Sequence, residues 1–217
     1  QIDAPGVVTV YGPPGTKVLV EGLLASMKPS AEAGYGLPGE SWAPPSERVR
    51  VVEIGDGAKI DLAGLAVSAV QNTHYSFPPG SDRDQQYKSL SLRFELPGRT
   101  LVYTGDTGPS PAVERLARGA DLLVSEMIDV EQTLQNVTRT RPDLSPDERK
   151  ELVAHLANHH LTPLQVGELA ARAGVKGLVI THLAPGRMGP AEQERYLRDI
   201  RRNYAGPVSI ANDLDRH

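Results

Sequence analysis

The sequence predicts a layered α/β domain, and three observations carry that expectation. Short apolar runs are closed off by Gly and Pro, which number 21 and 18, as happens where a chain turns often between strands. After Asp106, strand-like runs alternate with stretches of helical spacing. Two helix starts carry complete local signatures: Ser145-Pro146-Asp147-Glu148 and Thr162-Pro163-Leu164-Gln165 each set a hydroxyl at the N-cap, Pro in the first turn and a side-chain acceptor three residues on.

Taken in order, Val7–Tyr11 reads as a buried strand stopped by Gly12-Pro13-Pro14-Gly15, and Lys17–Met27 has helical spacing. Residues 28–48, with the sole Trp42 among several Gly and Pro, show no period and read as a loop or loosely structured insertion. Strands follow at Val49–Ile54, Leu65–Gln71, Ser89–Leu96 and Thr100–Thr104, a meander punctuated by GDG, PPGSD and PG turns. Next come a helix at Pro111–Arg118, a strand at Asp121–Ser125, helices over about fifty residues, a strand at Gly177–Thr181, a helix at Pro190–Tyr204 and a strand at Val208–Ala211.

With 217 residues the chain makes one large domain or two small ones, and nothing in it demands a split. Its 39% hydrophobic and 23% charged content excludes a disordered chain and supports a core. No apolar stretch reaches the length of a membrane span, and the opening QIDAPGVVTVYGPPG lacks the basic and apolar regions of a signal peptide. The compartment stays open between cytoplasmic and exported. Cysteine is absent, which removes disulfides, thiolate metal sites and cysteine nucleophiles, so any metal must be held by His and carboxylates. With 27 acidic against 23 basic residues, an extended grip on nucleic acid is disfavoured.

The informative polar residues stand where expected strands end: Asn72-Thr73-His74, Thr104-Gly105-Asp106-Thr107, Ser125-Glu126 and Thr181-His182. Open α/β sheets gather their ligands at such ends, and two His with two carboxylates at one rim is a metal-site pattern. Alone, each has a plain structural reading, a satisfied histidine or a turn-forming Asp. The Asn158-His159-His160 run precedes a capped helix, where an imidazole with a carboxylate partner can act as a general acid or simply occupy a helix–helix turn.

The ordered set THYS at 73–76, TGDT at 104–107, the strand ending in Glu126, HLTPLQVGELAARAGVKGLVITH at 160–182 and the terminal VSIANDLD resembles a metallo-β-lactamase-fold hydrolase of the ribonuclease Z and arylsulfatase-type phosphodiesterase branch. The resemblance covers nearly the whole chain. It implies an αββα sandwich, with residues 1–217 forming a single domain that supplies the C-terminal part of the full fold. It implies metal ligation by His74, Asp106 and His182, Asp106 bridging two metals, and a catalytic role for His160 with Glu126 as its acidic partner. Two zinc ions are the implied cofactor, with manganese or iron as substitutes, activating a shared water for attack on a phosphate or carbonyl.

The family's His-x-His-x-Asp-His signature is absent, since the six histidines are His74, His155, His159, His160, His182 and His217. The expectation is therefore the C-terminal part of a longer enzyme, one that associates with its missing N-terminal part or with itself to cover apolar sheet surface. The leading function is a zinc-dependent hydrolase of a small phosphodiester or related ester. Arg83, Lys88 and Arg187 are candidates to hold an anionic group, and Tyr75, Ser76 and Phe77 to line the pocket. The alternatives are a lactone or β-lactam hydrolase of the same fold, and a non-catalytic fragment or binding module.

Overall fold

The computed structural model describes residues 6–34, 45–186 and 188–217. Strand β1 (Val8–Gly12) leads through Gly15, in the left-handed region at φ 94°, into helix α1 (Thr16–Ala33). Gly15 has no side chain to cap the helix, so a carboxylate from elsewhere does it: Glu53 Oε1 accepts the N–H groups of Gly15 (2.8 Å) and Lys17 (3.0 Å). Free N–H groups at a helix start favour such an anion. The helix runs on through Pro29 to Ala33, which corrects the expectation of irregular chain from residue 28. Trp42 lies outside the described residues.

Glu53 closes β2 (Val49–Glu53), which pairs in parallel with β1 as a separate two-stranded sheet. The expectation that this strand opens the meander is thereby corrected: α1 serves as the crossover that parallel neighbours require. The meander starts instead at β3 (Lys59–Leu62), whose KIDL sequence has no apolar run to announce it. It continues through β4 (Leu65–Gln71), β5 (Leu90–Leu96) and β6 (Arg99–Tyr103), all antiparallel neighbours. Between β4 and β5 sits the short helix α2 (Asp82–Gln86), capped by Ser81.

From β6 onward the seven-stranded sheet turns parallel, adding β7 (Leu122–Ile128), β8 (Leu178–Ala184) and β9 (Val208–Ile210) in sequence order. The connections carry α3 (Pro111–Ala117), then α4 (Val130–Thr140), α5 (Pro146–His159) and α6 (Pro163–Ala173), then α7 (Pro190–Ile200). Both capping boxes expected at Ser145 and Thr162 are formed. Helices α3, α6 and α7 bury Val113, Val166, Leu169, Tyr196 and Ile200 against Val102, Leu123, Leu178 and Ile180 of the sheet. Truncating a fully packed member such as Ile180 to Ala is worth about 2–5 kcal/mol.

Two expected strand ends are also corrected. β7 and β8 each run three residues beyond the expected stop, so Glu126 and His182 lie inside strands. There the ladder slips: Ser125 faces Ile180 but Met127 faces Leu183, leaving Thr181 and His182 together opposite Glu126. This is a β-bulge, and His182 occupies it at φ 44°, a conformation costly for a residue with a Cβ.

Candidate active site

Strand β4 delivers His74 through Asn72, which is buried. Asn72 Nδ2 donates to Thr104 O (3.1 Å) and Ser91 Oγ (3.2 Å), while its Oδ1 accepts the N–H of His74 (3.1 Å). One amide therefore ties the end of β4 to β5 and β6 and sets the backbone of His74. The loop after β6 turns at Gly105 (φ 59°) and presents Asp106, whose backbone carbonyl accepts from Ser89 Oγ (3.3 Å). Buried Thr107 and Gly108 follow, and the backbone of Asn158 packs so closely on Gly108 that a Cβ there would run into the Asn158 carbonyl. That approach seats the end of α5 against the Asp106 loop.

The donors converge. His74, Asp106 and His160 each offer a ligand atom, and these atoms lie within 4.8 Å of one another. His182 joins through Asp106, with Nε2 3.4 Å from Oδ2. Asp106 thus stands between His182 on one hand and the His74–His160 pair on the other. His74 Nδ1 lies 3.3 Å from the carbonyl of His159, so the Nδ1–H tautomer donates there and leaves Nε2 with its lone pair. Orienting an imidazole through its second nitrogen is what metal sites require. Two to three imidazoles and a carboxylate, with no thiolate, fit a divalent zinc, manganese or iron ion.

Glu126, 3% exposed, is the hub of a second arrangement. Its Oε1 accepts the N–H groups of Thr107 (3.2 Å) and Leu161 (3.1 Å), and its Oε2 faces His160 Nδ1 at 3.2 Å. The carboxylate joins β7, the Asp106 loop and the α5–α6 junction. Its hydrogen bond holds the His160 pKa above the ordinary 6.5; burial opposes this, and the charges of Glu126 and Asp106 add to it. His160 sits in the helix–helix turn as the C-cap of α5, with its ring directed at Glu126.

Two more histidines belong to this neighbourhood. His155 and His159 lie one turn apart on α5, with Nδ1 atoms 2.7 Å apart. The His155 ring centroid is 6.2 Å from that of His74 and 5.9 Å from that of His160. Burial, then the neighbouring imidazoles, pushes both pKa values below 6.5. Sequence reasoning passed over His155 and the bonding of Asn72; the four-residue spacing to His159 was the signal for the former, and the latter had none. Of the anion candidates, Lys88 is taken up by Asp84 at 2.9 Å, and Arg83 lies 4.3 Å over the Phe77 ring, which stacks on Tyr75. Ser76 is exposed, and Arg187 lies outside the described residues.

Residues 4–183 match the model of the beta-lactamase superfamily domain. The chain belongs to the beta-lactamase superfamily. Within it, similarity to ribonuclease Z proteins spans 98% of the chain: 30% identity over 215 residues with that of Mycobacterium avium (strain 104), and 26% over 212 residues with that of Mycobacterium tuberculosis (strain ATCC 25618 / H37Rv), covering 67% and 69% of those proteins. Among solved structures, the metallo-beta-lactamase fold protein YhfI from Bacillus subtilis superposes over 95% of this chain and 63% of its own, with a TM-score of 0.58 at 15% identity. The short form of human tRNase Z superposes over 97% and 67%, with a TM-score of 0.53 at 17% identity. These superpositions establish the metallo-β-lactamase fold. The chain spans less than two thirds of the Bacillus structure.

Proposed function

We propose that the protein is a metal-dependent hydrolase of small phosphodiesters or related esters, with His74, Asp106 and His182 holding metal and Glu126 and His160 assisting. The observation that carries this reading is the Glu126–His160 pair at 3.2 Å, with a ring nitrogen of His160 itself lying within 4.8 Å of ligand atoms of His74 and Asp106. A divalent metal, zinc first and manganese or iron as substitutes, would supply Lewis-acid polarisation of the ester and a water of lowered pKa.

The residues of the chain do the rest. Glu126 fixes His160 with the proton on Nδ1 and favours the imidazolium, whose Nε2–H would be the proton given to the leaving oxygen. After release, the neutral imidazole keeps its orientation because Glu126 is itself held by two backbone N–H groups. Asn72 and the His159 carbonyl hold His74 in place from both the backbone and the ring side.

A second reading, RNA as the phosphodiester, is favoured by the ribonuclease Z relatives at 26–30% identity. The acidic balance of 27 against 23 supports the small ester first. The test is turnover of bis(p-nitrophenyl) phosphate and of an RNA oligonucleotide, with zinc or manganese added, by wild type, Asp106→Ala and His160→Ala. Near-complete loss in Asp106→Ala is expected, with roughly 10²–10⁴-fold loss in His160→Ala at unchanged metal content. Wild-type turnover in Asp106→Ala would overturn the metal reading. No turnover of either substrate by wild type would favour the non-catalytic binding module.

A further inference from the structure

The imidazole rings of His155 and His159 on α5 have no role in that machinery, which uses only the backbone carbonyl of His159. Residues four apart on a helix lie on one face, one turn above the other, and here the two rings stand at 72° with their centroids 4.7 Å apart and their Nδ1 atoms facing each other across 2.7 Å. Neither ring forms an ion pair with a carboxylate among the described residues, whereas His160 and His182 both do. The pair also stands outside the His74–Asp106–His160 group of ligand atoms. His155 is exposed and His159 half-buried, so water and ions reach the pair.

We propose that His155 and His159 form a bis-histidine chelate for an additional divalent transition-metal ion, bound through the two Nδ1 atoms. Two metal–nitrogen bonds of about 2.0–2.1 Å span a 2.7 Å bite when they meet at roughly 80°. That angle is close to the right angle of square-planar or octahedral coordination and well short of the tetrahedral angle of zinc, so the pair fits Ni²⁺ or Cu²⁺, with water at the other positions. Occupancy would pin the last turn of α5. The carbonyl of that turn, on His159, is the one facing His74 Nδ1, so the chelate would stiffen the support of a proposed ligand of the main centre without sharing its metal.

Ni²⁺ alone is the probe, titrated calorimetrically into the full chain carrying Asp106→Ala, which disables the main centre. One Ni²⁺ per chain with a rise in Tm is expected, and both should vanish when His155→Ala is added. Cu²⁺ bound to the Asp106→Ala chain should show electron paramagnetic resonance splitting from two imidazole nitrogens, falling to one or none in the double variant. If Asp106→Ala proves poorly folded, the wild-type chain and His155→Ala are compared instead, and His155→Ala should lose one Ni²⁺ equivalent. Absence of Ni²⁺ binding in Asp106→Ala, or binding that survives His155→Ala, would reduce the pair to two hydrogen-bonded rings. Neither result depends on turnover, so the hydrolase reading stands or falls separately.

Discussion

Glu126 meets His160 at 3.2 Å through one carboxylate oxygen while the other oxygen accepts two buried backbone N–H groups. One side chain therefore does two jobs, and substitutions can separate them. Glu126→Gln keeps an acceptor for the backbone but offers His160 no charge, so kcat on bis(p-nitrophenyl) phosphate should fall roughly 10²–10⁴-fold with a small change in the urea midpoint. Glu126→Ala should lose the same activity and also destabilise the fold, because each N–H left unpaired costs roughly 1–3 kcal/mol. Equal urea midpoints for the two variants would contradict this division.

Asp84 gives a pH signature away from the cleft. The Gly80 N–H, then the Lys88 ammonium and the Gln71 amide, hold its pKa down at about 2, below the ordinary 3.8. A depressed carboxylate pKa contributes stability that is fully present above the unfolded value and is lost as pH falls through the folded one. The difference in urea midpoint between wild type and Asp84→Asn should be constant above about pH 5 and shrink between about pH 4 and 2. A difference that grows on acidification would refute the assignment.

Gly108 leaves no room for a side chain. Gly108→Ala must push the Asn158 carbonyl away, and with it the His159–His160 corner. A loss of roughly 1–3 kcal/mol in urea unfolding is expected from overpacking, with a fall in turnover larger than the stability loss explains at 25 °C. Full activity in a folded Gly108→Ala chain would show that this corner tolerates movement.

Helix α1 buries none of its residues, and Val18, Leu19, Leu23 and Met27 are 72%, 63%, 55% and 56% exposed. Leu19, Leu23 and Met27 recur every four residues and form one stripe. Sedimentation velocity should therefore show concentration-dependent association of the chain, and Leu19→Glu combined with Leu23→Glu should shift it to monomer. Monomeric wild type across the micromolar range would rule this out.

Local signals were legible in the sequence, and signals between distant segments were not. The caps at Ser145 and Thr162 depend on a hydroxyl and an acceptor three residues away, and both formed as written. The placement of Glu126 and His182 inside strands depends on β7 and β8 pairing beyond their apolar runs, which no local pattern encodes. β3 escaped notice because alternating Lys and Asp hide a strand whose identity comes from its neighbour. The candidate site residues were proposed from their order along the chain, but the bonds that orient them, Asn72 to Thr104 or His74 to the His159 carbonyl, join residues 32 and 85 positions apart.

The bulge at His182 sets two selection pressures against each other. At φ 44° glycine would relax the backbone, yet it would remove the imidazole beside Asp106. Local folding energy and the proposed ligand role thus favour different residues at one position, as at sites where strain is kept for function. A chain evolved only for resistance to heat would drift toward glycine here and lose the imidazole that faces Asp106.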